Sequence, residues 1–286
     1  MAETKIKASQ TDLIGGRNIT LTPKYSEGGI DVNTLVLFDF EQQSFANTGK
    51  GPLTMVNTPS SSFFTDTTKK FGNYCFATLN SGAGFSFIPK SSNVNWSSDF
   101  TIDFWIKSLG YNDTYITALT GDPIILPYGV GVLWRSIYRE LKFNFNGAQT
   151  TIATSVDLTD TFHHFAMCCS LSNKTISVFL DGEKKYTYTH NADIPLFNTV
   201  MCNTNSANSM DGVFGTLIDE YRFSNTVRYD GNFTPPTEAY TVASLLGTAI
   251  NCPSDVLLKS VSGYDGTKAQ SLQHDSSGNL SWVDIS

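Results

Sequence analysis

Residues 100–107 read Phe100-Thr101-Ile102-Asp103-Phe104-Trp105-Ile106-Lys107. Phe100, Ile102, Phe104 and Ile106 alternate with Thr101, Asp103, Trp105 and Lys107. A period of two is the mark of a half-buried β-strand, because successive side chains leave a strand on opposite faces. Leu141, Phe143 and Phe145 repeat the pattern against Lys142, Asn144 and Asn146. Residues 165–171 and 175–180 form two arms around a Ser172-Asn173-Lys174 turn, and Asp181-Gly182 follows as a second tight turn. Residues 35–40 and 84–89 read as further strands, the latter stopped by Pro89. Leu217, Asp219, Tyr221 and Phe223 are expected to share one face of a late strand. Many short strands with turn residues between them, and no long helical period, predict an all-β antiparallel sandwich.

The composition agrees. Aromatic residues make up 13% of the 286, and they suit the pleated surface of sheets better than a helix face. Charged residues reach only 16%, against roughly 25% in an average soluble protein. A net charge of −7 and the lack of any Lys/Arg block argue against nucleic acid as a partner. No window is apolar for the roughly 18 residues of a membrane helix, so no membrane insertion is expected. No apolar signal core follows Met1, which predicts folding in a cytoplasm. The five cysteines are odd in number and form no Cys-x-x-Cys, so neither a disulfide framework nor a zinc site is expected. Cys168 and Cys169 are expected on opposite faces of one strand, as small apolar residues.

Three regions are expected. Residues 1–34 carry short apolar pairs between Gly15-Gly16 and Gly28-Gly29, too few for a core of their own. Residues 35–240 hold the sandwich. Residues 241–286 change character again and end in a hairpin around Asp275-Ser276-Ser277-Gly278-Asn279. Both end regions read as assembly or attachment segments, which predicts a homo-oligomer.

Several stretches together resemble laminin G-like domains of the concanavalin A-like lectin/glucanase superfamily. Residues 100–107 resemble the central strand of that family. Phe162-His163-His164-Phe165-Ala166, followed by Ile176-Ser-Val-Phe-Leu-Asp-Gly182, resembles its W-H-H-V-A … L-Y-V-D-G hairpin, with Phe162 in place of the usual Trp. Leu217-Ile-Asp-Glu-Tyr-Arg-Phe-Ser224 is similar to its I-D-E-x-R-I-S strand. Residues 35–40 and the Lys70-Phe71-Gly72 stretch resemble its first strand and following loop. The resemblance implies a jelly-roll β-sandwich of two antiparallel sheets with ligand sites at one rim or on the concave sheet. The Asn232-Phe-Thr-Pro-Pro236 closure is similar to a variant found in bacteriophage tail and virion proteins. This implies a tail, fibre or head-decoration protein located in the virion, with other virion proteins as partners and a trimer as the oligomer.

The same superfamily contains glucanases, which need paired carboxylates on one strand face. This chain has no Glu-x-Asp-x-Glu: Asp103 is alone on its strand, and Asp219 and Glu220 are adjacent and point apart. No Gly-x-Ser-x-Gly elbow occurs, and His163 and His164 are adjacent, so they cannot ligate one metal together from a strand. One of the two histidines is expected to be packed and hydrogen-bonded, the other exposed. No catalytic residue, metal or cofactor is therefore expected. Some family members hold calcium with strand-end carboxylates, which raises Asp39 and Asp219. The alternative is a buried Asp219 satisfied by backbone N–H groups or by Arg222 or Arg228.

The connection 109–135 is the most unusual part of the sandwich and the predicted ligand site. It carries Tyr111, Asn112, Asp113, Tyr128, Trp134 and Arg135. A sugar is gripped by an aromatic plate on its C–H face and polar groups on its hydroxyls, and long loops on rigid scaffolds often carry function. The plainer alternative is that Trp134 and Tyr128 pack the loop down. Two functions compete: a non-enzymatic module that binds a cell-surface glycan, on a virion or as a bacterial carbohydrate-binding module, and a structural virion component with protein contacts only.

Overall fold

The structure is a computed structural model. It describes residues 30–59, 63–78, 84–90, 96–110, 113–121, 129–190, 197–204, 215–240, 270–274 and 280–284. Residues 25–243 form one compact unit, and the hairpin at the C-terminal end belongs to another.

The strands in chain order are β1 (Thr34–Phe38), β2 (Thr54–Asn57), β3 (Phe64–Thr65), β4 (Cys75–Ala77), β5 (Phe85–Ile88), β6 (Phe100–Ser108), β7 (Thr114–Gly121) and β8 (Val130–Arg135). There follow β9 (Glu140–Phe145), β10 (Ala148–Ala153), β11 (His163–Ser170), β12 (Thr175–Leu180), β13 (Glu183–Thr189), β14 (Phe197–Thr204) and β15 (Thr216–Ser224). One sheet runs β13-β12-β11-β6-β15-β4-β3, with β1 also paired to β15; the other runs β10-β9-β8-β7-β14-β5-β2. The pairings are antiparallel. The two inner faces share one core, so the molecule is the expected all-β jelly-roll sandwich. β16 (Gln270–His274) and β17 (Leu280–Asp284) pair as the expected terminal hairpin.

The core is unusually rich in phenylalanine. Phe38 meets Phe87 edge to face at 5.5 Å, and Phe76 meets Phe85 at 5.5 Å in the same way. Such pairs contribute about 0.5–1.5 kcal/mol each beyond the area they bury.

β6 lies between β11 and β15, and its Phe100, Ile102, Phe104 and Ile106 face the core as the alternation requires. Its other face was expected to meet water, but Thr101, Asp103 and Trp105 are buried too. Thr101 and Asp103 lie under a strap, residues 225–240, laid across the outside of the sheet, and Trp105 lies under Lys70 and Phe71 of the β3–β4 loop. Tyr229 and Phe233 stack at 3.6 Å and pack on Ala166 and Phe179, and the Tyr240 hydroxyl donates to Asp103 Oδ2 at 2.6 Å. The β12–β13 turn receives the strap at Gly182, whose φ of +77° and contact with the Phe233 carbonyl leave no room for a side chain.

The late strand β15 also departs from its reading. Its alternation breaks between Asp219 and Arg222, where Glu220 has a φ of +52°. This bulge puts Ile218, Tyr221 and Phe223 in the core, while Leu217 packs outside with Trp105 and Cys75. Leu217 and Asp219 therefore do not share the face of Tyr221 and Phe223.

The sandwich starts earlier than residue 35. Ile30 is buried with Leu37 and Tyr240, and Asp31 binds the Arg228 guanidinium at 2.8 and 3.2 Å. The 109–135 connection is likewise not one loop. Much of it is β7 and β8, paired through Tyr115↔Leu133 and Val132↔Thr117.

Candidate functional site: the rim turn between β8 and β9

The pairing Thr114↔Trp134 brings Asp113, just before β7, alongside Arg135 at the end of β8. Arg135 Nε donates to Asp113 Oδ2 at 2.5 Å. Asp113 Oδ1 accepts from the Ser136 N–H at 2.9 Å and from the Ser136 hydroxyl at 3.3 Å. One carboxylate thus fixes both the guanidinium and the start of the turn 136–139. The Arg139 N–H closes that turn onto the Ser136 carbonyl at 3.2 Å.

At the tip are Ile137 and Tyr138, 76% and 61% exposed. The Arg135 guanidinium sits 4.8 Å from the Tyr138 ring centroid, within cation–π range. Behind the tip, Arg139 pairs with Asp157 at 3.2 Å, Lys142 with Glu140 at 3.7 Å, and the Val156 N–H donates to the Arg139 carbonyl at 2.8 Å. Chemically, this is an exposed aromatic and aliphatic pair on a turn held by oriented charged groups.

Of the predicted site residues, the structure brings Asp113 and Arg135 together. Trp134 must be withdrawn as a ligand plate: it points into the core, is fully buried, and its indole N–H donates to the Val156 carbonyl at 3.4 Å. On β8 the residue before the outward Arg135 necessarily faces inward. Tyr111, Asn112 and Tyr128 lie outside the described residues. Tyr138 and Ile137 were missed, although Ser136-Ile137-Tyr138-Arg139 carried a signal. Turns favour Gly, Asn, Asp, Ser and Pro, so two adjacent large apolar residues in one call for a reason.

The carboxylates raised as catalytic or calcium candidates are committed elsewhere. Asp103 is fully buried; it accepts from Arg222 Nε at 2.9 Å and Nη2 at 2.6 Å, and from the hydroxyls of Tyr229 at 3.0 Å and Tyr240 at 2.6 Å. Burial opposes its charge, but the Arg222 guanidinium outweighs burial and holds the carboxyl well below the usual range. Asp219 Oδ2 accepts the N–H groups of Lys70 and Phe71 at 2.9 and 3.0 Å, and Oδ1 that of Glu220 at 2.9 Å. These donors are the backbone partners of a buried carboxylate, on the outer side of the sheet rather than inward. Burial nonetheless pushes Asp219 up to about 7, and burial together with the Asp219 charge pushes Glu220 up to about 8. Asp39 Oδ1 accepts the Glu41 N–H at 3.2 Å. A set that turns N–H donors toward its carboxylates does not fit a calcium ion, which wants several oxygens. Among the described residues no three of His, Cys, Asp and Glu gather as a metal site.

His164 is fully buried against the Tyr240 hydroxyl at 3.1 Å. His163 lies nearer the surface, with Nδ1 2.7 Å from Asp181 and Nε2 2.9 Å from Asp160. Cys169 faces the core and Cys168 the strap, opposite faces as expected, and burial pushes the Cys168 thiol up to about 11.

Residues 80–231 match the family model described as the concanavalin A-like lectin/glucanases superfamily. No curated protein matches the sequence. Among solved structures, the chain is similar to the botulinum neurotoxin serotype D binding domain, with TM-score 0.49, 11% identity, and coverage of 69% of this chain and 49% of that one. The serotype G binding domain gives TM-score 0.47, 12% identity and coverage of 68% and 48%. Domain 4 of AbnA, an extracellular GH43 arabinanase from Geobacillus stearothermophilus solved with arabinotriose, gives TM-score 0.48, 16% identity and coverage of 68% and 93%. The chain thus spans about half the length of the toxin domains it matches. The family match runs from before β5 into the strap, taking in more than half of the sequence and β5 to β15, and on that ground the chain belongs to the concanavalin A-like lectin/glucanases superfamily.

Proposed function

We propose that the sandwich is a non-catalytic glycan-binding module and that the β8–β9 rim makes the contact. The observation that carries this reading is Tyr138, a 61%-exposed aromatic ring steadied by Arg135, which Asp113 in turn orients. An exposed ring costs solubility and adds nothing to the core, whereas it offers a flat apolar face to the C–H side of a sugar. Superfamily membership supports a lectin-type role. A binding role rather than hydrolysis is supported by the buried carboxylates: Asp103 is locked by Arg222 and two tyrosines, and Asp219 and Glu220 are neighbours sealed under other chain segments.

The test is a glycan array, followed by calorimetry on the hits, with wild type and Tyr138→Ala. Binding should fall about tenfold or more in the variant, the equivalent of about 1.4 kcal/mol. Hits indifferent to Tyr138→Ala would remove this site. An array without hits would favour a purely structural, protein-contacting role.

The finer reading places this module on a bacteriophage virion, as a tail, fibre or decoration protein in an oligomer such as a trimer. It is supported by the resemblance of Asn232-Phe-Thr-Pro-Pro236 to phage proteins. Light scattering of the purified chain and immunogold labelling of particles test it. A monomer at micromolar concentration, or unlabelled particles, would refute it.

A further inference from the structure

We infer that the rim selects neutral glycans and rejects sugars bearing a carboxylate, sulfate or phosphate. This rests on the proposed glycan-binding role of the same turn. The cations around Tyr138 are already engaged by fixed carboxylates. Arg135 is held by Asp113, whose other oxygen is pinned by the Ser136 N–H and hydroxyl. Arg139 is held by Asp157, whose Oδ1 accepts the Thr159 N–H at 2.9 Å and hydroxyl at 2.6 Å. Lys142 is paired with Glu140. Three cations therefore face three carboxylates, and the rim offers no net positive charge.

An anionic sugar has two ways in, and both are unfavourable. It can approach Arg135, of which Asp113 holds only Nε, where it comes up beside the Asp113 carboxylate, and displacing that carboxylate would break a charge-assisted bond. It can instead approach Arg139, whose side chain is 53% exposed and the most open of the three. There it meets Asp157, whose hydrogen bonds from Thr159 hold the carboxyl below its usual range, so that it stays ionised. A neutral sugar meets neither obstacle. Its C–H face can lie on Tyr138 and Ile137, while its hydroxyls donate to Asp113 and Glu140 without disturbing an ion pair. Rejection is thus built from like charge, the repulsive half of specificity.

The experiment uses glycan pairs that differ only in the acidic group, such as sialylated and desialylated forms of one oligosaccharide and sulfated and unsulfated forms of another. Affinities are measured for the full chain at physiological salt. The wild type should bind each neutral member about tenfold or more tightly than its acidic partner. Asp113→Asn, which frees Arg135, should narrow that ratio by about threefold or more. An acidic member bound as well as or better than its neutral partner would overturn the inference and leave glycan binding standing. A chain that binds no glycan would overturn the proposed function and the inference with it. The wild-type ratio alone decides the matter should Asp113→Asn fail to fold.

Discussion

Asp103→Asn removes one charge from β6, in the middle of its sheet on the face under the strap, and changes almost no volume. In the wild type the carboxylate accepts two bonds from Arg222 and one each from Tyr229 and Tyr240, and both members of the ion pair are fully buried. After the change Arg222 keeps its positive charge and loses the Asp103 carboxylate. Breaking a buried pair in this way costs about 3–5 kcal/mol, because a charge in a dry site loses its bidentate counter-charge. For a unit of this size each kcal/mol moves the melting temperature by about 2–4 °C, so a fall of about 6–20 °C is expected by calorimetry. The strap 225–240 should loosen first, so limited proteolysis should cut it below the melting point. Removing both charges together, in Asp103→Leu with Arg222→Met, should recover part of the loss, although the Tyr229 hydroxyl would lose its acceptor. A single variant that melts within about 2 °C of wild type, or a double variant worse than the single, would refute the idea that this ion pair fastens the strap.

His163 gives a pH signature. Burial alone would lower its pKa, but Asp181 and Asp160 on its two ring nitrogens outweigh burial and raise it above the ordinary 6.5. A raised histidine contributes stability that is complete below about 6.5 and lost as pH rises through the folded pKa, so His163→Gln should flatten that part of the melting-temperature profile. Glu220 acts in the same direction for a different reason: burial raises it to about 8, so its folded form keeps a proton that the unfolded chain has already released, and stability falls between about pH 4 and 8. Glu220→Gln, still able to accept the Tyr240 N–H, should melt higher than wild type at pH 8 and much like it at pH 5; equal melting at pH 8 would refute this. Trp134→Ala should cost about 3–5 kcal/mol in urea unfolding as a core truncation, and a variant of wild-type stability that had lost only ligand binding would contradict the buried position of that side chain.

The sandwich was legible because its inner faces repeat faithfully. Phe100 to Ile106 on β6, and the arms around Ser172-Asn173-Lys174, carry a period of two that survives without knowledge of their neighbours. What a sequence pattern cannot carry is which face a later segment will cover. Thr101 and Asp103 look solvent-facing until the strap, over 120 residues downstream, is laid on them, and Trp105 until Lys70 and Phe71 cover it. The break in β15 was hidden for a related reason. Nothing in Ile218-Asp219-Glu220-Tyr221 announces a left-handed Glu220, and one such residue reverses the facing of everything before it. β7 was read as loop because Tyr115 and Ala118, on its outward side, are buried, so the strand lacks a polar stripe. In the rim, the charged members Asp113 and Arg135 were legible. Tyr138 was not, since its exposure depends on the register of β8 against β9.

The bond between Asp31 and Arg228 has a consequence for how this module can be handled. The Asn225 N–H donates to the Asn33 carbonyl at 3.0 Å, and Ile30 packs beside Tyr240. The polypeptide therefore enters and leaves the sandwich at one pole. A domain with adjoining ends can be spliced into a surface loop of an unrelated host without stretching either partner, and its own ends can be joined and reopened elsewhere. The excision points that respect the chemistry are residues 30 and 240. A fragment trimmed to 80–231 would discard β1, the strand paired with β15, and the tyrosine that closes over Asp103.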